Sequence, residues 1–152
     1  MFINHHNFAY IIVLSLALAI LPSCKKKENK RIVTVTWLKQ NPKTHVWEGQ
    51  KTTRPAHVTQ VWNILHRIKM NPLRKLPPKE KMPPKTQAIL FHRGSGSIAV
   101  VAEVFGDRFL LVDGKYYHAQ QLIITLGLLD HQADLDFVPA EKLKKLAYDP
   151  AK

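Results

Sequence analysis

The chain has 152 residues and a formal net charge of +12, from 23 Lys and Arg against 11 Asp and Glu. Its length suits one modest domain behind a short leader, and no internal period points to a solenoid. A single cysteine excludes an internal disulfide and any zinc site built on paired cysteines.

The leader comes first. Phe8 to Leu21 is a run of 14 residues without a charge, ending at Pro22. About 20 apolar residues are needed to span a bilayer, so this run is short for a membrane helix and fits the apolar core of a secretory signal. Pro22 breaks a helix, Ser23 is small, and Cys24 follows. The stretch Leu21-Pro22-Ser23-Cys24 resembles the lipobox of bacterial lipoprotein precursors. The resemblance covers residues 1–24 and implies a signal peptide over 1–23, removed just before a lipidated Cys24. Residues 24–31 then form a polar, basic tether, and 32–152 a single domain. A lipidated protein of this kind sits in the cell membrane or the outer membrane, on the exported side. The alternative is an uncleaved N-terminal anchor or a buried apolar segment. One acyl chain holds a protein only marginally, whereas two or three hold it durably.

The positive charge is uneven. Residues 25–93 hold 17 basic and three acidic side chains, whereas 94–152 hold six basic and eight acidic. Such a balance can indicate nucleic acid. An exported, lipid-anchored chain meets anionic lipid headgroups, lipopolysaccharide phosphates or acidic wall polymers instead, so nucleic acid is not expected as a partner. The plainer reading is that the charge keeps the domain soluble.

Beyond the tether, IVTVTWL (32–38) alternates as a strand does, with Val33, Val35 and Trp37 on one side. Residues 41–52 read as a polar loop with Trp47 as a plug. Pro55 opens a helix whose apolar stripe is Val58, Val61, Trp62, Leu65 and Ile68, and Asn71-Pro72 ends it. Residues 71–87, NPLRKLPPKEKMPPKTQ, hold five prolines and five basic side chains beside one acid, Glu80. Prolines favour an extended, coreless conformation. The segment is either a stiff basic arm for a polyanion, with Arg74, Lys75, Lys79, Lys81 and Lys85 as contacts, or a solvated connector.

Four strands follow: 88–93, 98–105, 108–112 and 115–118. Gly106-Asp107 and Asp113-Gly114 read as two-residue hairpin turns. This register sets Val112 opposite Lys115, Leu111 opposite Tyr116, Val104 opposite Phe109 and Phe91 opposite Val100. One face then carries Ile89, Phe91, Val100, Ala102, Val104, Phe109, Leu111, Tyr116 and His118, against which helices should pack. The other carries His92, Val101, Glu103, Leu110 and Tyr117 among others. That face is too polar for a core and too apolar for a wet surface. Residues 119–129 and 139–148 read as a second and a short third helix. The expected fold is therefore α+β: an antiparallel four-stranded meander plus an N-terminal strand, with two to three helices on one face. The order is similar to small α+β domains of uncharacterised bacterial lipoproteins, a likeness that implies no activity.

No catalytic set emerges. His57 and His66 lie nine residues apart, on opposite sides of their helix. No HExxH motif is present, so no metal or cofactor is expected. The segment HRGSGS (92–97) joins two strands and offers no helix N-terminus to a phosphate. Asp107 and Asp113 serve as turn residues. Three functions remain. The first is a binding or structural module that meets a protein partner through Val101, Leu110 and Tyr117. The second is a polyanion binder using the basic arm. The third is an enzyme combining His92, Glu103 and Tyr117.

Overall fold

The computed structural model describes residues 30–152. The leader, Cys24 and most of the tether lie outside the described residues. Within them stands one seven-stranded antiparallel sheet, crossed by two helices on one face and edged by a short helical turn on the other.

Strand β1 (Ile32–Gln40) pairs with β2 (Trp47–Thr52) on one side and with β3 (Lys85–Arg93) on the other. It is therefore central, and its alternation has a physical origin. Val35 and Trp37 enter the main core, while Thr36 and Leu38 are buried on the opposite face. The sheet continues through β4 (Ile98–Phe105), β5 (Phe109–Val112) and β6 (Lys115–His118), and ends at its other edge in β7 (Asp136–Val138) beside β2. Beyond a four-stranded meander with one added strand, the sheet contains β2 and β7 as well.

Helix α1 (Pro55–Lys69) places Pro55 in its first turn, where no backbone donor is lost. It buries Val58, Val61, Ile64 and Leu65, and packs Trp62 on Phe91 with ring centroids 5.1 Å apart. His66, Arg67 and Lys69 sit in its last turn, where the helix dipole favours cations. Lys69 reaches Asp113 at 2.6 Å, pinning this end to the β5–β6 turn. Helix α2 (Gln120–His131) buries Leu122, Thr125, Leu126 and Leu129 beside α1.

The β5–β6 register is as the Asp113-Gly114 turn predicts, with Val112 opposite Lys115 and Leu111 opposite Tyr116. The β3–β4 register also agrees, with Phe91 opposite Val100. The β4–β5 register does not. Phe105 pairs with Phe109, so the connection takes three residues, Gly106 to Arg108, rather than two. Gly106 and Asp107 both have positive φ, 53° and 60°. One extra loop residue exchanges the faces of everything beyond it. Leu110, Val112 and Tyr117 are consequently buried in the core beneath the helices, and His118 is exposed.

The third helix also differs from expectation. It is a single turn, α3 (Ala140–Leu143), and Leu143 packs against Leu38, Ala88 and Leu90 on the face away from α1 and α2. Leu146 and Tyr148 join the same cluster, so residues 139–150 run as a strap across this second face.

Candidate functional site

The strap and the β1–β2 hairpin leave an apolar groove between them. Its volume is about 680 Å³, and its walls include Leu38, Val46, Trp47, Leu143, Leu146 and Tyr148. The hairpin is shaped by a turn in which Asn41 Oδ1 accepts the Lys43 backbone N–H at 3.0 Å, while His45 takes a positive φ of 55°. Gly49 makes close packing possible on the strap side. A Cβ there would lie 2.5 Å from Leu143 Cδ2 and 3.2 Å from Val138 Cβ. Lys144 and Asp149 also line the groove.

One wall of the groove is held by a polar cluster. Tyr148 donates its hydroxyl to Glu103 Oε1 at 2.6 Å, and Lys85 Nζ approaches the same oxygen at 3.0 Å. The Lys85 ammonium also stands 5.7 Å from the Tyr148 ring centroid. Burial alone would raise the Glu103 carboxyl, but the bonds from Tyr148 and Lys85 outweigh it and hold the group below its ordinary value. Burial, then the carboxylate beside it, pushes the Tyr148 phenol well above its ordinary range. The cluster can hold a strap in place. Tyr148 is too strongly held as a neutral phenol to act as a base near neutral pH.

A second polar site lies on the same face. Thr36 Oγ1 and His92 Nε2 are 3.1 Å apart, and His92 Nδ1 is 3.5 Å from the Gly96 carbonyl. Burial lowers the His92 pKa despite the Gly96 contact. A neutral imidazole satisfied on both nitrogens is a structural fixture of the β3–β4 hairpin.

On the helix face, Asp130 accepts from Lys39 at 2.9 Å and from Gln50, and Lys39 stands 4.3 Å from the Trp37 ring centroid. Burial pushes the Asp130 carboxyl up, but these two donors bring it below its ordinary value. Arg54 pairs with Asp134, and His57 Nε2 lies 3.8 Å from the same carboxylate. These contacts tie β1, β2 and α1 to the end of α2.

The residues singled out in the sequence fare differently. Leu110 and Tyr117 are core residues and present no surface to a partner. Val101 is half-buried against the cluster that the strap covers. His92 and Glu103 share a face with Val101, but Tyr117 points to the opposite one, so the enzymatic trio does not assemble. Lys85 belongs to β3 and is spent on Glu103. The remaining basic-arm side chains, Arg74, Lys75, Lys79 and Lys81, are exposed. Both ends of the arm are fastened. Leu73 N–H donates to the Tyr116 carbonyl at 2.8 Å, and Gly106 N–H donates to the Pro84 carbonyl at 3.2 Å. A short 3₁₀ turn, Lys79–Lys81, interrupts the extended course.

Among the described residues, no three His, Cys, Asp or Glu side chains gather as metal ligands, and no helix is long and apolar enough to cross a membrane. The groove itself carries no motif. It joins two strands to a segment about 100 residues later in the chain, which no local pattern announces. No family model matches the chain, and no curated protein or solved structure matches it either.

Proposed function

We propose that this chain is a lipid-anchored protein of the cell envelope that acts by binding. Cys24 carries the lipid, residues 25–31 are the tether, and the α+β domain is held at a membrane surface. Seven tether residues span at most about 25 Å when extended, so the domain works close to the bilayer. Its binding surface is the apolar groove, and the ligand class that suits it is the acyl chain of an amphiphile. The observation that carries this reading is the groove. It is concave, within the usual size range of small-molecule sites, and walled by aliphatic and aromatic side chains. A membrane address supplies acyl chains in abundance.

Two experiments test the two halves separately. Metabolic labelling with a fatty-acid analogue should mark the wild type and not Cys24→Ala. Loss of the leader with no label on Cys24 would reject the anchor. For the groove, a fluorescent fatty-acid probe should bind the domain and be excluded by Val46→Lys, since Val46 is an exposed wall residue whose change leaves the core intact. Equal binding to both proteins would reject the groove.

A second reading, a polyanion binder, draws support from the fastened arm with its four exposed cations. Each cation near an anionic surface is worth about 1 kcal/mol within a Debye length. Retention on phosphatidylglycerol vesicles should fall with salt and be lost on reversing Lys75, Lys79 and Lys81 together. Retention indifferent to both would remove this reading.

A further inference from the structure

The groove between the strap and the β1–β2 hairpin has two charged residues in its lining, Lys144 and Asp149. The strap holds them apart. Leu143, just before Lys144, packs on Gly49 of β2. Tyr148, just before Asp149, is bonded to Glu103 of β4. Strands β1 and β3 lie between β2 and β4 in the sheet, so about 14 Å separates the two fastening points.

The two charges are not equally available. Asp149 Oδ1 accepts the Ala151 backbone N–H at 3.0 Å, and its Oδ2 lies 3.6 Å from Lys152 Nζ. Lys144 meets no carboxylate among the described residues. It stands exposed at the end of α3, between exposed Lys142 and Lys145, with Glu141 the one acid of that turn. The β2 end of the groove thus offers an unspent cation beside an apolar trough, and the β4 end a carboxylate that already has its own donors.

Granted the acyl-chain reading of the groove, on which this rests, we infer that the amphiphile it takes is anionic. Its carboxylate or phosphate sits at Lys144, and its chain runs along Leu38, Leu143 and Leu146 towards Tyr148. A lysine lays its methylenes on apolar surface and keeps its ammonium in water, which suits a ligand whose chain is buried and whose head stays at the mouth. A bond between this ammonium and an anionic oxygen is charge-assisted. A neutral head gains nothing there, and a cationic head is repelled at Lys144 and must displace Lys152 at Asp149. Lys144 is therefore the residue that selects the head, while the apolar walls hold the chain.

Displacement of a neutral fluorescent acyl ester from the full chain, carrying Cys24→Ala so that no attached lipid competes, tests this. Dodecanoate and dodecyl phosphate should each bind about fivefold more tightly than dodecanol, and dodecylamine more weakly than the alcohol. Lys144→Gln should bring both anions to the affinity of the alcohol and leave the alcohol unchanged. Asp149→Asn should leave the order as it is. The anion held more tightly identifies the source of the head, a fatty acid or a phospholipid. Equal binding of all four, a preference for the amine, or an equal loss of anion and alcohol binding in Lys144→Gln would overturn the choice of head and leave the groove an acyl-chain site. Failure of all four to displace the ester would overturn the acyl-chain site as well.

Discussion

The Tyr148 hydroxyl donates to the Glu103 carboxylate at 2.6 Å, across 45 residues of sequence, and this bond fastens the C-terminal strap to β4. Tyr148→Phe removes it while keeping the ring. A hydrogen bond to a charged group is worth about 1.5–3 kcal/mol, and half-exposure lowers that, so a loss of about 1 kcal/mol is expected in urea unfolding. Hydrogen exchange over residues 139–150 should quicken more than exchange in β3 and β4.

The same bond sets a dependence on pH. Glu103 is held below its ordinary value, so its contribution is present at neutral pH and is lost as pH falls through the carboxylate range. Tyr148 is held above its ordinary value, so its contribution persists well into alkali. The urea midpoint of the wild type should therefore drop between neutral pH and strong acid. In Glu103→Gln that drop should be shallower, because the titrating group is gone.

Gly49→Ala tests the packing of the strap on β2. Its methyl would meet Leu143 Cδ2 at 2.5 Å, with Val138 and Leu38 within 3.3 Å on other sides. Leu143 must move, and overpacking of this kind costs about 1–3 kcal/mol. The near-ultraviolet signal of Trp47, a groove-wall residue, should change with it. A variant with unchanged stability and spectrum would show that the strap rides loosely on β2.

Leu110 and Tyr117 carry the clearest lesson about what can be read in advance. Strand alternation across a two-residue Gly106-Asp107 turn predicts both on a partly open face, and both are core. The strands, the β5–β6 turn and α1 were legible because apolar spacing and Asp113-Gly114 act locally. The β4–β5 loop is one residue longer than its turn residues predict. Two positive-φ residues, Gly106 and Asp107, look like a complete two-residue turn, yet Arg108 also lies in the loop. Pro83 packs against Gly106, and Pro84 accepts its N–H, so the arm participates in shaping this turn. Strand β2, WEGQKT, has no apolar alternation, and the residues it buries are Gly49 and Thr52. Its pairing with β1 decides its conformation. The groove was illegible because its walls meet only in the folded chain. Leu110→Ala should accordingly cost about 2–5 kcal/mol in urea unfolding, as large-to-small changes in a core do. Loss of binding without loss of stability would contradict its placement.

Lys85 and Lys79 separate structural from surface cations within one basic segment. Lys85 is largely buried and bonded to Glu103, whereas Lys79 is exposed on the 3₁₀ turn. Lys85→Glu would set two carboxylates together beside Tyr148. Breaking a half-buried pair and adding repulsion should cost about 2–3 kcal/mol, and the loss should lessen as acid neutralises the carboxylates. Lys79→Glu should stay within about 0.5 kcal/mol of wild type, as changes at open surface positions do. Anionic-vesicle retention should respond in the opposite sense: sensitive to Lys79, and to Lys85 only as far as the fold is lost. Equal stability of the two variants would mean that the Glu103 cluster does not hold the strap.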